Sequence, residues 1–284
     1  MATMASPSPD REEQANDWQQ RAPAWTRWAG TMERMADRFN QPLLDAAGIA
    51  DGQTVLDLAS GAGEPALSIA RRVGPSGHVT ATDLVPEMLD GIERRAQAAN
   101  LSNLSVRESD MQALPFEDES FDRVVCRFGI MFSPDEGKAL SEALRVLKPG
   151  GRAAYMVWGP LEDTTVFVVL QSTVRRFLGD QSPPAALPQF RFGPAGSLAS
   201  VFEAAGFTDV AEQELRFHPR PEAGSGFWRP QLDMSFGHRI RHLSSEERQA
   251  LDATIDNAFE MYREDDVYRL TAHIRIVTGD KAKE

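Results

Sequence analysis

Three acidic residues in the first half of the chain each stand at or near the end of a short apolar stretch. Asp57 lies one residue before the end of the first stretch, Asp83 closes the second, and Asp110 follows the third. If these stretches are parallel strands, their carboxyl ends meet at one edge of the sheet, where ligands bind. Because a buried carboxylate is costly without partners, the pattern predicts a shared ligand that offers several hydrogen-bond donors.

The loop after Asp57 carries two glycines, Gly61 and Gly63, and leads into an apolar pattern suited to a helix. Glycine has no Cβ and tolerates unusual backbone angles, so a ligand can approach such a loop closely. The helix that follows presents unpaired N–H groups at its start. Asp83 lies twenty residues after Gly63, close to the interval at which dinucleotide-type folds place an acid on a ribose hydroxyl pair.

The elements that must position these residues alternate between strand and helix, with no solenoid repeat. Predicted strands cover residues 55–58, 78–84, 104–109, 121–128 and 152–158, and helices start at residue 66 and cover 86–99 and 134–147. A turn at residues 148–151 separates the last helix from the fifth strand. This alternation predicts a doubly wound, Rossmann-like α/β sheet.

The chain before the first strand predicts a disordered tail over residues 1–10 and a helical cap over residues 11–40. Large residues recur on one helical stripe of this cap, namely Trp18, Trp25, Trp28, Met32, Met35 and Phe39. Pro23 is expected to begin a second helix after a break, because proline suits a first turn and not a helix interior. Such a stripe is more often buried core, and a cap over the site is the alternative.

The C-terminal half is expected to determine substrate specificity, through an insertion at about residues 160–243 that covers the bound substrate. Helices are predicted over residues 164–178 and 198–205 and from a capping box at Ser244 to about residue 263, and strands over 207–217 and 269–278. His238 and His242 share a predicted helical face. Solvated surface histidines are the common interpretation, and one of the two as a general base is the catalytic hypothesis.

Composition limits the partners and the compartment. The chain has 42 acidic and 30 basic residues and a net charge of −12, which disfavours a nucleic-acid partner. The single cysteine, Cys126, excludes an internal disulfide framework, suits the reducing cytoplasm and is interpreted as a buried core residue. The sequence shows no secretory signal, no apolar run long enough for a membrane span and no metal-ligand cluster.

Four motifs in order resemble those of class I S-adenosylmethionine-dependent methyltransferases, in particular the ubiquinone and menaquinone C-methyltransferases. They occupy residues 55–63, 82–84, 110–116 with 120–122, and 144–151. The resemblance implies a seven-stranded sheet with an antiparallel last strand, and a methyltransferase domain over residues 41–284. Where the family usually has glycine this chain has Ala59, which makes the first turn slightly more crowded.

The resemblance also implies which residues would hold S-adenosylmethionine. The loop of Ala59, Ser60, Gly61 and Gly63 would hold the methionine part, with Asp57 near its ammonium group. Asp83 would take the ribose hydroxyls and Leu84 would pack on the adenine. Asp110 would accept from the adenine amino group beside Met111, and Arg127 belongs to the segment 126–128 that would border the sulfonium.

The activity expected from this resemblance is methyl transfer to carbon or oxygen of a small, largely apolar or aromatic metabolite by in-line displacement. Two alternatives stay open: an NAD(P)-dependent oxidoreductase, because residues 61–66 also fit G-x-G-x-x-A, and a non-catalytic S-adenosylmethionine-binding module. Asp57 argues against the oxidoreductase, because it would repel a pyrophosphate. Methylation of nucleic-acid bases is disfavoured, because residues 127–130 lack the Asn/Asp-Pro-Pro-aromatic sequence of those enzymes.

Overall fold

A computed structural model describes residues 9–182 and 186–283 and contains one central seven-stranded sheet. The strand order is β3-β2-β1-β4-β5-β9-β6, in which β1 to β5 are parallel and β9 is antiparallel to both of its neighbours. These strands are β1 (Thr54–Leu58), β2 (His78–Asp83), β3 (Leu104–Glu108), β4 (Phe121–Arg127), β5 (Leu147–Trp158), β6 (Thr208–Phe217) and β9 (Ala272–Asp280). The short strands β7 (Arg263–Glu264) and β8 (Val267–Tyr268) form a separate hairpin. The fold class predicted from the sequence is confirmed.

Helices cover both faces of the sheet because the central strands are apolar on both sides. They are α1 (Pro9–Ala47), α2 (Ala66–Val73), α3 (Pro86–Ala98), α4 (Glu136–Val146), α5 (Thr165–Phe177), α6 (Ser197–Ala204), α7 (Arg229–Ile240) and α8 (Ser245–Phe259). One core lies between the sheet and α4 and α6, and a second lies between the sheet and α1, α2 and α3. The predicted capping box at Ser244 is confirmed, with Glu247 as its partner.

The prediction of a helix break at Pro23 is wrong. α1 runs without interruption from Pro9 to Ala47 and contains both Pro23 and Pro42. Of the predicted disordered tail, residues 1–8 lie outside the described residues, and Pro9 already begins the helix. The helix tolerates the missing backbone donor because tertiary packing on both sides of Pro23 stabilises it more than local propensity does.

The predicted turn at residues 148–151 becomes an irregularity inside β5. Phe121 pairs with Leu147 and Arg123 pairs with Arg152, so residues 148–151 lie opposite the single residue Asp122 and the register shifts by three residues. Gly150 adopts a φ of 73°, a conformation that favours glycine. Strand β5 therefore starts five residues earlier than the sequence predicted.

The segment at residues 160–243 is not one continuous insertion. Its middle part, α6 and β6, belongs to the central sheet, because β6 pairs with β9 and Phe202 of α6 packs on Tyr155 of β5. The parts on either side, α5 and α7, join α8 in a third apolar core that includes Trp228 and Phe236. Apolar periodicity could not show which helices pack on the sheet and which pack on each other.

Within residues 9–182 and 186–283, no helix is long and apolar enough to cross a membrane. The same residues contain no cluster of three or more histidine, cysteine, aspartate or glutamate side chains arranged for a metal ion. The cytoplasmic location expected from the sequence stays a prediction.

Candidate active site at the carboxyl edge of the sheet

A cavity of about 490 Å³ lies along the carboxyl ends of the parallel strands. The glycine loop after β1, Asp83 at the end of β2 and Asp110 just after β3 line one part of it. Helix α1 and the helical core of α5 and α7 close the other part. The strand order explains this position: β2 and β3 are added on one side of β1 and β4 and β5 on the other, so the loops after β1 and β4 diverge and leave a crevice.

The glycine loop adopts the unusual backbone that its sequence predicts. Gly61 has a φ of 51° and Gly63 a φ of 108°, both in the region that favours glycine. A Cβ on Gly61 would meet no atom within 4 Å, so the backbone there is open to a ligand, whereas a Cβ on Gly63 would crowd Arg95. Ala59, Ser60 and Gly61 line the cavity, and Gly63 does not.

Asp57 is buried directly behind this loop rather than in the cavity wall. Its side chain has no exposed surface, and neither carboxylate oxygen has a hydrogen-bond partner among the described residues. Burial raises the pKa of Asp57 to about 7. An unpaired buried carboxylate is expensive, so it favours a cationic partner in this part of the site.

Asp83 lines the cavity and also shapes the glycine loop. Its carboxylate accepts hydrogen bonds from the backbone N–H of Gly61 at 2.9 Å and of Val85 at 3.1 Å. Burial raises the pKa of Asp83, and these N–H groups oppose the shift. Leu84, Asp110 and Met111 also line the cavity, in the order along the sheet edge that an extended nucleoside would need.

A buried polar network at the other side of the glycine loop was missed by the sequence reasoning. Asn40 of α1 donates to Glu64 at 2.7 Å and accepts from Arg127 at 2.9 Å, and Arg95 of α3 donates to Glu64 at 3.0 Å. Arg127, expected in the site, lines the cavity. No sequence signal identifies Asn40, because only the tertiary fold brings this residue of α1 to the glycine loop.

The remaining part of the cavity is aromatic. Phe128, the first residue after β4, has a φ of 60°, which is strained for a bulky side chain, and its ring stacks on Trp158 at 4.5 Å. Phe39 of α1 contacts both of these rings and Phe217 edge-on. Five of the six residues of the predicted α1 stripe line the cavity, namely Trp18, Trp25, Met32, Met35 and Phe39. The stripe therefore faces the site as a cap.

Neither candidate histidine reaches this cavity. His238 lies on an exposed side of α7, and His242 lies beyond the end of that helix, so the two do not share a helical face as expected. Among the described residues that line the cavity there is no histidine, lysine, cysteine or tyrosine. Cys126 is fully buried behind the site, which confirms its interpretation as a core residue, and burial raises the pKa of its thiol to about 12.

Comparison with known proteins agrees with the geometry of the site. A family model described as a methyltransferase domain matches residues 55–151. A ubiquinone/menaquinone biosynthesis C-methyltransferase of Brucella abortus (strain S19) is 36% identical over 171 residues, which cover 56% of this chain and 64% of that protein. An uncharacterized protein of Mycobacterium tuberculosis (strain ATCC 25618 / H37Rv) is 38% identical over 160 residues, 55% of this chain and 56% of that protein. The match thus spans 56% to 64% of the length of these relatives.

A solved structure shares the fold at low identity. The phosphoethanolamine N-methyltransferase 2 of Haemonchus contortus, in complex with phosphomonomethylethanolamine and S-adenosylhomocysteine, superposes with a TM-score of 0.55. It is 19% identical and covers 86% of this chain and 52% of that chain. The resemblance to class I methyltransferases inferred from the sequence is therefore confirmed, in the domain of residues 55–151 and in the fold.

Proposed function

We propose that this protein transfers the methyl group of S-adenosylmethionine to a small, largely apolar acceptor, because residues 55–151 match a family model described as a methyltransferase domain. One observation carries the proposal: a single cavity joins a polar part, lined by strand-end acids and a glycine loop, to an aromatic part. The first part suits a nucleoside cofactor and the second a planar or apolar acceptor. The similarity to a C-methyltransferase supports carbon as the acceptor atom, with oxygen as the second choice.

The side chains present fit S-adenosylmethionine. Gly61 leaves an open backbone, and Asp57 holds an unpaired buried carboxylate close to it, suited to an ammonium group. In the proposal Asp83 receives the ribose hydroxyls, Leu84 packs on the adenine, and Asp110 beside Met111 accepts from the adenine amino group. When bound, the cofactor supplies an electrophilic methyl group on a sulfonium.

The work of this chain in such a reaction is to position the acceptor and exclude water. The stacked rings of Phe128 and Trp158 and the edge of Phe39 provide a rigid wall for an apolar acceptor. Alignment of two reactants is worth up to about 7–11 kcal/mol of the barrier. The described lining residues include no histidine, lysine, cysteine or tyrosine, and of the lining carboxylates Glu64 is hydrogen-bonded by protein donors while Asp83 and Asp110 have cofactor roles in the proposal. We therefore propose an acceptor that is nucleophilic by itself.

Thermal unfolding with different ligands tests the cofactor. At about 100 times its Kd a ligand adds about 2.7 kcal/mol to the free energy of unfolding, which raises the midpoint by several degrees. We expect this rise with S-adenosylhomocysteine and S-adenosylmethionine and not with NAD⁺. We also expect Asp83→Ala to remove it, because the ribose would lose its acceptor.

The same experiment separates the alternatives. A rise with NAD⁺ alone would contradict the proposal and favour an oxidoreductase. A rise with S-adenosylhomocysteine, but no labelled product from radiolabelled S-adenosylmethionine with any member of a broad panel of apolar acceptors, would favour a binding module. If only charged, hydrophilic acceptors are methylated, the apolar-acceptor part of the proposal is wrong.

A further inference from the structure

Two charged groups of opposite sign lie beside the glycine loop, the buried carboxylate of Asp57 and the partly buried guanidinium of Arg127, and neither is fully paired. Both oxygens of the Asp57 carboxylate lack hydrogen-bond partners, and so does Nε of the Arg127 guanidinium, among the described residues. Buried charged groups are normally hydrogen-bonded, so these unpaired atoms indicate a partner that is absent from the free protein, such as a bound ligand. A zwitterionic α-amino-acid group, with an ammonium and a carboxylate, would match both charges.

Asn40 fixes the position of Arg127 from outside the cavity. The Asn40 side chain is completely buried, and its Oδ1 accepts from Nη1 of Arg127 at 2.9 Å. Its Nδ2 donates to Glu64 at 2.7 Å and to Ser68 at 2.8 Å. All three polar bonds that Asn40 makes are therefore used to hold groups next to the glycine loop.

Both carboxylate oxygens of Glu64 accept hydrogen bonds from protein donors, so Glu64 holds these donors together. One of its oxygens accepts from Arg95 at 3.0 Å, and the other accepts from Asn40 and from Ser68 at 2.9 Å. Arg95 also bonds the carbonyl of Ala62 and pairs with Glu33 of α1 at 3.1 Å. The network therefore connects α1 and α3 with the glycine loop and the end of β4.

We infer that Asn40 is a positioning residue, which aims the Arg127 guanidinium at the carboxylate of the cofactor's methionine part. The inference rests on the proposed function, because it assumes a cofactor with an amino-acid group. Among the described residues Arg127 donates to the neutral amide of Asn40 and has no carboxylate within ion-pair distance, so its guanidinium can still bind the carboxylate of a ligand, although the charges of Glu64 and Asp57 act on it from farther away. Asn40 is not among the residues that line the cavity, so it would act on the cofactor through Arg127 and Glu64.

The test compares two ligands that share the adenosine part and differ in the amino-acid part. S-adenosylhomocysteine carries the amino-acid group and 5′-methylthioadenosine lacks it. For Asn40→Leu, which keeps the side-chain volume and removes the amide, we expect the Kd of S-adenosylhomocysteine to rise about tenfold or more, because a charge-assisted contact is lost. The Kd of 5′-methylthioadenosine should stay within about twofold. Isothermal titration calorimetry measures both.

Two further variants control the comparison. Gln19→Ala removes an exposed bond between α1 and Glu87 of α3, and it should change neither affinity. Arg127→Lys keeps the charge without the guanidinium geometry, and it should weaken S-adenosylhomocysteine and spare 5′-methylthioadenosine. If Asn40→Leu does not fold, as judged by its thermal transition, Asn40→Ala, which removes the amide and fits the same space, replaces it in the same two titrations.

An equal loss of both ligands in the Asn40 variant would overturn the inference, because Asn40 would then only maintain the fold. Unchanged affinity for both would overturn it as well. If the unaltered protein binds neither ligand, the proposed function itself fails and the inference with it. Selective loss of S-adenosylhomocysteine supports both.

Discussion

The Cβ of Ala59, in the glycine loop, fits because a glycine lies opposite it. Ala59 stands where the resemblance to class I methyltransferases implies a glycine, and it adopts a φ of 52°. A Cβ on Gly129, after β4, would lie 2.5 Å from the Cβ of Ala59. The crowding expected at Ala59 is therefore avoided, because residue 129 is a glycine and has no Cβ to clash with that of Ala59. Such strained positions are typical of ligand sites.

Asp57 should make the stability of the free protein depend on pH. Its pKa is about 7 in the folded state against 3.8 for an ordinary aspartate, so the folded state binds more protons between these values. Asp57 should therefore contribute a fall in the free energy of unfolding, on the order of 4 kcal/mol, as pH rises from about 4 to about 7. Asp57→Asn should remove this contribution, while that of Asp83 stays, and should be the more stable protein at pH 8. Urea unfolding at several pH values measures both.

Asp122 provides the matched control for this prediction. Its carboxylate is partly exposed and paired with Lys148, and the backbone N–H of Thr54 and that pairing lower its pKa. Asp122→Asn should therefore leave the decline between pH 4 and 7 in place. If Asp57→Asn and the unaltered protein give parallel curves over this range, burial does not perturb Asp57 in the way stated here.

At the scale of the element, α1 stays continuous because its tertiary packing outweighs the low helix propensity of Pro23. Proline in a helix interior removes one backbone hydrogen bond and costs about 3 kcal/mol. Before Pro23, Trp18 contacts Phe132 edge-on at 4.8 Å, and Ala22 packs with Val85 and Met88. The C-terminal end of α1 is buried in the second core of the sheet. Contacts on both sides of the proline hold the helix continuous.

Replacing this proline should stabilise the protein. In Pro23→Ala the new N–H can bond the carbonyl of Gln19, and the side chain is exposed, so no packing is lost. We expect the free energy of unfolding to rise by about 1–2 kcal/mol, since the greater freedom of the unfolded chain offsets part of the gain. Chemical denaturation measures it. Thr26→Ala, also exposed on α1, restores no hydrogen bond and serves as the control. If Pro23→Ala is no more stable than the unaltered protein, Pro23 does not cost α1 the stability stated here.

At the scale of the whole molecule, the cavity exists because distant parts of the chain converge on one sheet edge. The cap contributes Phe39, the sheet contributes Phe128 and Trp158, and the helical core of α5, α7 and α8 contributes Phe167 and Met234. None of the histidines of the C-terminal half is among the described residues that line the cavity. Which side chains reach the acceptor is thus a property of the tertiary fold.

Turnover of variants tests whether the residues that line the cavity, and not the two histidines outside it, determine the reaction rate. With the first acceptor that the protein methylates, His238→Ala and His242→Ala should keep the full kcat, because neither residue lines the cavity. Phe128→Leu should lower kcat by about tenfold or more, since loss of the stacked ring misaligns the acceptor. The Kd of S-adenosylhomocysteine should hardly change in any of the three. A loss of turnover in either histidine variant would restore the general-base hypothesis.

The sequence by itself determined most of the part of the cavity that is proposed for the cofactor. Acids at strand ends, a glycine loop and alternating strands and helices are local patterns, and sheet geometry then brings Asp83 and Asp110 to one edge. Only the tertiary structure decided the other half. The continuity of α1, the split of residues 160–243, the place of Asn40 and the absence of His238 from the described cavity lining depend on contacts between residues far apart in the chain. Such contacts leave no periodic pattern in the sequence, because they are fixed by shape and burial and not by spacing.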